Sequence, residues 1–177
     1  MSTILANGLT YWVLVLATLA GIHTMRSKAI ATGSYRWAYL TSLVMLPGTY
    51  LHELAHATAG LFLNAQPLKL SVVPRIADEV PTFGTTEFGN LTWYNAAPVG
   101  LAPLALIPLS LVLCGLTTWD TPALKMAEAF LVGSVLYSSI PSYIDMAFAK
   151  RYWWGPFLVA GTLGGLGYWL YTLAVSM

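Results

Sequence analysis

The stretch Tyr50-Leu-His-Glu-Leu-Ala-His-Ala carries two histidines four residues apart and a glutamate between them: His52, Glu53 and His56. On a helix, residues at that spacing share a face, so both imidazoles can aim a nitrogen at one metal ion. Zinc accepts two such nitrogens and a third protein ligand, and keeps a fourth position for water. Glu53 reaches that water from the same side. It can take the water's proton and later pass it to a leaving amine, which is peptide-bond hydrolysis.

The setting sharpens the motif, which also recurs by chance in soluble helices. Here the three groups lie deep in an apolar stretch. An ionisable residue at the centre of a membrane helix costs ~2.5–3.5 kcal/mol on insertion scales, so three of them need an interior partner. A metal ion supplies one. The plainer alternative is a polar contact between helices with no metal.

Of the 177 residues, 57% are hydrophobic and only 8% are charged, against about 25% charged in soluble domains. Such a surface must face lipid. A net charge of +1 argues against a nucleic-acid partner, which needs clustered Lys and Arg. The single cysteine, Cys114, excludes an intrachain disulfide and a Cys-rich zinc site. It reads as a small buried hydrophobe. The first ten residues hold no Lys or Arg, so the first apolar stretch reads as a retained membrane helix rather than a signal peptide.

A span needs ~20 mostly apolar residues. Five stretches qualify, about residues 9–23, 37–63, 95–116, 124–149 and 153–175. Aromatic residues suited to the interface mark their ends: Tyr35, Trp37, Trp93, Tyr94, Trp119, Tyr152, Trp153 and Trp154. The fold expected is a single all-α, multi-pass membrane domain over residues 1–177. It is a bundle of about five transmembrane helices with its core at about 37–150. The connection 64–94 contains Leu68, Leu70 and Val72 in alternation and is bounded by Pro and Gly. This predicts one or two short strands, at the interface or against the helices, because an open edge cannot face lipid; the alternative is an irregular surface loop. Orientation does not resolve: Arg26, Lys28, Arg36 and Lys125 fall on one side, and Lys69, Arg75, Lys150 and Arg151 on the other.

The third ligand is sought by depth. The motif lies in the half of its helix nearest the 64–94 connection, and the fourth stretch returns to that side. Asp145, near its end, reaches a similar depth and would complete a His₂Asp set. The alternative for Asp145 is a membrane-edge carboxylate paired with Lys150 or Arg151. Asp78, Glu79 and Glu87 are weaker candidate ligands. His23, Asp120 and Glu128 are expected at the far side.

Pro141 should kink the fourth helix. Ser138, Ser139 and Ser142 can satisfy the freed backbone groups, or bond the Asp145 carboxylate or a substrate backbone. Pro47 and Gly48 loosen the second helix one turn before His52. Asn95 is placed either to cap the third helix or to bond a substrate carbonyl. Ala96, Ala97, Gly100 and Ala102, and Gly161, Gly164, Gly165 and Gly167, predict close helix packing.

At this point the chain resembles the site-2 protease family of intramembrane zinc metalloproteases. The matching residues are His52-Glu53-Leu54-Ala55-His56 on one membrane helix and Asp145 on a later one. The segment with Pro74, Gly84 and Phe88, leading into Asn95–Pro98, is similar to the family's membrane-associated strand region. The likeness covers about residues 43–150. Where the family has Asn, two prolines and Gly around its aspartate, this chain has Tyr137, Ile140, Ser142 and Met146. The resemblance implies a zinc endopeptidase whose substrate is a membrane-spanning or membrane-adjacent protein segment, unwound locally and held by strand addition. Ser138 or Ser139 would take the place of the substrate-orienting Asn.

Two readings from other classes stand beside it. One is a non-catalytic zinc-binding membrane subunit that scaffolds a partner membrane protein. The other is a metal transporter, disfavoured because no polar path continues to the far side.

Overall fold

The computed structural model describes residues 2–73, 75–77, 80–116, 121–155, 157, 161, 164, 165, 168 and 172. Most of them are helical, with two short antiparallel strand pairs. Helix α1 (Ser2–Thr32) runs 31 residues, well beyond the apolar 9–23 stretch. Arg26 and Lys28 are good helix formers, so they end the apolar run without ending the helix. His23 is therefore mid-helix rather than at a helix end, with its ring 6.4 Å from that of Tyr137. Gly33, at φ 57°, stops the helix where a residue without Cβ turns left-handed at little cost. Ser34 is extended and opens α2 (Tyr35–Phe62), within two residues of the predicted start.

The segment after α2 holds four strands rather than one or two: β1 (Pro67–Ser71), β2 (Arg75–Ala77), β3 (Val80–Thr82) and β4 (Thr85–Phe88). They nest. β2 pairs with β3 inside, and β1 pairs with β4 outside, Lys69 opposite Glu87 and Ser71 opposite Thr85. The alternating Leu68 and Leu70 are exposed.

The predicted 95–116 helix is three pieces: α3 (Ala96–Leu101), a 3₁₀ turn (Ala102–Ala105) and α4 (Leu106–Leu116). Pro103 has no N–H to return to Val99, and the Ala102 N–H bonds the Val99 carbonyl instead, which tightens the turn. The predicted 124–149 helix is broken rather than merely kinked. It comprises α5 (Pro122–Ser138) and α6 (Tyr143–Arg151), bent by 44°.

Among the described residues, Leu9–Thr32 is long and apolar enough to cross a membrane, and the bent α5–α6 pair passes the same test if it is one span. Ala96–Val112 is apolar but shorter. Helix α2 is long but is interrupted by Thr41, Ser42, Thr49 and the motif itself. Most of 153–175 lies outside the described residues, as do Pro74, Asp78, Glu79, Trp119, Asp120, Gly167 and the side chain of Cys114.

Helix α5 packs on α1 and α2, and α6 packs on α3. Gly100 permits the second contact: a Cβ there would fall 2.7 Å from the Asp145 carbonyl oxygen. Ala96 and Ala97 are buried alongside, as their small size predicts. Among the described residues, a Cβ on Gly161, Gly164 or Gly165 would meet nothing within 4 Å.

Candidate metal centre

His52 and His56 lie on the face of α2 that meets α5 and α3, and Glu53, beside His52, meets β4, so one helix supplies two imidazoles and a carboxylate. Asp145 comes from the first turn of α6, which the break after Ser138 swings toward α2. These elements bring one ligand atom each from His52, His56 and Asp145 to within 4.8 Å of one another, a group that can hold a metal ion.

The tautomers follow from the surroundings. His52 Nδ1 lies 2.5 Å from the Ser138 carbonyl oxygen, and His56 Nδ1 lies 2.7 Å from that of Val99. A carbonyl only accepts, so each Nδ1–H donates and each neutral ring presents a lone pair at Nε2. Those two Nε2 atoms are 3.1 Å apart. Asp145 Oδ1 is 3.2 Å from His56 Nε2, and Oδ2 is 3.5 Å from His52 Nε2. A proton on one Nε2 or a metal cation among the three atoms relieves their mutual repulsion. The spacing also fits a metal, because ligands 2.0–2.2 Å from a tetrahedral ion lie about 3.3 Å from one another.

The orienting carbonyls are themselves explained by local sequence. Val99 is four residues before Pro103, which cannot donate to it. Ser138 is three before Pro141 and four before Ser142, whose N–H points elsewhere. That N–H donates to Asp145 Oδ2 at 2.7 Å, while the Ser142 hydroxyl accepts from the Asp145 N–H at 3.2 Å. The two residues thus form a capping box at the start of α6.

Glu53 is 5% exposed. Its Oε2 accepts a 2.7 Å hydrogen bond from Thr86 on β4. Sequence reasoning passed over Thr86, because nothing local announces a contact between residues 33 apart.

The other candidates separate. Asp145 makes its ion-pair contacts with the histidines and, among the described residues, with no Lys or Arg. Glu87 is exposed and sits across the ladder from Lys69. Neither it, His23 nor Glu128 joins the cluster. Asn95 is fully buried, and both its amide protons are used, on the Leu63 and Asn90 carbonyls, while its oxygen accepts from the Thr92 N–H. It ties the loop before α3 to the end of α2, makes no side-chain cap, and has no donor left for a substrate. Ser139 donates to the Leu136 carbonyl. Ser138 differs: its hydroxyl is buried and, among the described residues, has no hydrogen-bond partner, next to the carbonyl that orients His52.

No family model, curated protein or solved structure matches the chain.

Proposed function

We propose that the chain is an intramembrane zinc endopeptidase of the site-2 protease type, spanning the bilayer several times. It would cut peptide bonds in or near transmembrane segments of other membrane proteins. The observation that carries this reading is the facing pair of Nε2 lone pairs closed by a carboxylate, with Glu53 one residue from the first histidine. Bound there, zinc supplies an acidified water and a Lewis acid for the scissile carbonyl. His52, His56 and Asp145 would hold the ion, with the Ser138 and Val99 carbonyls fixing the two rings. Glu53 takes the proton from the attacking water and delivers it to the leaving nitrogen. The unpartnered Ser138 hydroxyl is free to donate to a substrate carbonyl.

The distribution of polarity supports the membrane setting. Thr41, Ser42, Glu53, His56, Ser134 and Ser138 are buried, whereas Leu43, Leu61, Phe62 and Tyr143 are largely exposed. Lipid reverses the usual preference in this way, because apolar side chains can face it and ionisable ones cannot. Trp93 and Trp154 stack at 5.5 Å with their planes 10° apart. Both mark the ends of apolar stretches, where aromatic rings suit the membrane interface.

One observation favours the non-catalytic alternative: strand β4 covers Glu53, as a site kept for scaffolding would allow. Wild type and E53Q separate the readings. Each is purified in detergent, and zinc is measured beside cleavage of membrane-segment fusion proteins. An endopeptidase carries zinc in both forms and cuts only as wild type. Equal behaviour of the two in a complete biological assay overturns the proposal.

A further inference from the structure

In an unbroken helix, the Ser142 N–H would donate to the Ser138 carbonyl, four residues earlier. Here that bond is open, and each half is turned to a different ligand. The carbonyl accepts from His52 Nδ1, and the N–H donates to Asp145 Oδ2. Pro141 keeps the gap open, since it cannot give Ser138 a replacement donor at the 3₁₀ spacing. The helix is broken exclusively at residues 139–142, between two segments that together are long enough for one span.

We propose that this opened pair is the positioning device of the metal centre and fixes how Asp145 binds. The inference rests on the metal-site reading above. With Oδ2 held by the Ser142 N–H, Oδ1 is the ligand atom, and the carboxylate binds through one oxygen. A metal held this way would meet two imidazoles and one carboxylate oxygen and keep a position for water, rather than a chelating carboxylate. Ser142 acts through Asp145 and is a positioning residue, not a catalytic one. Its main-chain N–H carries the effect; the hydroxyl serves the helix start.

Cobalt(II) is the probe, because its visible bands are intense when four-coordinate and fade as coordination rises. Ser142 has φ −67°, which proline adopts without strain, so S142P removes the donor and leaves the backbone path. S142A removes the hydroxyl and keeps the donor. P141A lets the helix bond re-form. Wild type and S142A should bind one cobalt per chain with matching affinity and intense bands. S142P and P141A should bind about 10–100-fold more weakly, the usual effect of losing a contact behind a metal ligand. Their bands should also weaken.

Should S142P not fold, D145E replaces it. Glutamate still caps a helix at that position, but its oxygens are displaced by a methylene, and it should lose affinity equally. Wild-type affinity in S142P, P141A or D145E overturns the proposal, as does an equal loss in S142A and S142P. Failure of the wild type to bind cobalt instead overturns the metal centre itself.

Discussion

Thr86 donates a 2.7 Å hydrogen bond to Glu53 Oε2, joining strand β4 to the proposed general base across 33 residues of sequence. The neighbouring Gly84 completes the contact: a Cβ there would lie 2.5 Å from Glu53 Oε1. Both oxygens of the carboxylate therefore meet the same hairpin.

Replacing Thr86 with Val keeps the shape and removes the donor. Leaving a buried carboxylate oxygen without that bond costs about 1–3 kcal/mol. The expected outcome is a fall in turnover of roughly 5–160-fold, from the same range of energies. Bound zinc should be unchanged, and T86S should recover most of the loss. Zinc by atomic emission and cleavage rates on the same preparations check it. A loss of zinc in T86V would place Thr86 in the fold rather than behind Glu53.

G84A forces a methyl toward Glu53. The side chain must shift, and the displacement should reduce cleavage more than T86V does, because it moves the carboxylate instead of freeing it. Crowding of this kind also costs about 1–3 kcal/mol of stability, which thermal unfolding in detergent will read. Cleavage at the wild-type rate would show that Glu53 does not act from this position.

Strand β1 offers a test of substrate capture. Proline substitutions along residues 68–71 remove strand N–H donors one at a time. If an unwound substrate adds to this sheet edge, cleavage should fall while zinc content holds, with the strongest effects at alternate positions. Uniform activity across the series would rule out capture by β1.

At Gly48, α2 and α5 approach closely. A Cβ there would collide with the Ser134 carbonyl, and the Gly48 N–H donates to the Ser134 hydroxyl at 3.2 Å. G48A should separate the helices and destabilise the chain by about 1–3 kcal/mol or more. It should also weaken metal binding, because the Ser138 carbonyl that orients His52 rides on α5. A thermal unfolding scan with and without zinc measures both effects. Stability equal to wild type would show that the two helices can part without strain.

The sequence by itself determined the chemistry-bearing residues. His52, Glu53 and His56 are local, and a helix of fixed pitch converts their spacing into a shared face whatever surrounds it. The α2 boundaries and the predominance of helix were legible for the same reason. Asp145 was reachable only through an assumed order of crossings, and the structure brings it to the histidines.

Helix ends and breaks were harder to read. Hydropathy marks where apolar side chains stop, whereas hydrogen bonds mark where helices stop, and α1 runs nine residues past the 9–23 stretch because the two differ. Tertiary structure alone decided which carbonyls hold the imidazoles, that Asn95 is consumed in a loop, and that Thr86 meets Glu53. Most of these contacts join residues distant in the chain, and Gly48 and Gly84 are small enough to admit the neighbours beside His52 and Glu53. Local spacing carries no record of such distances.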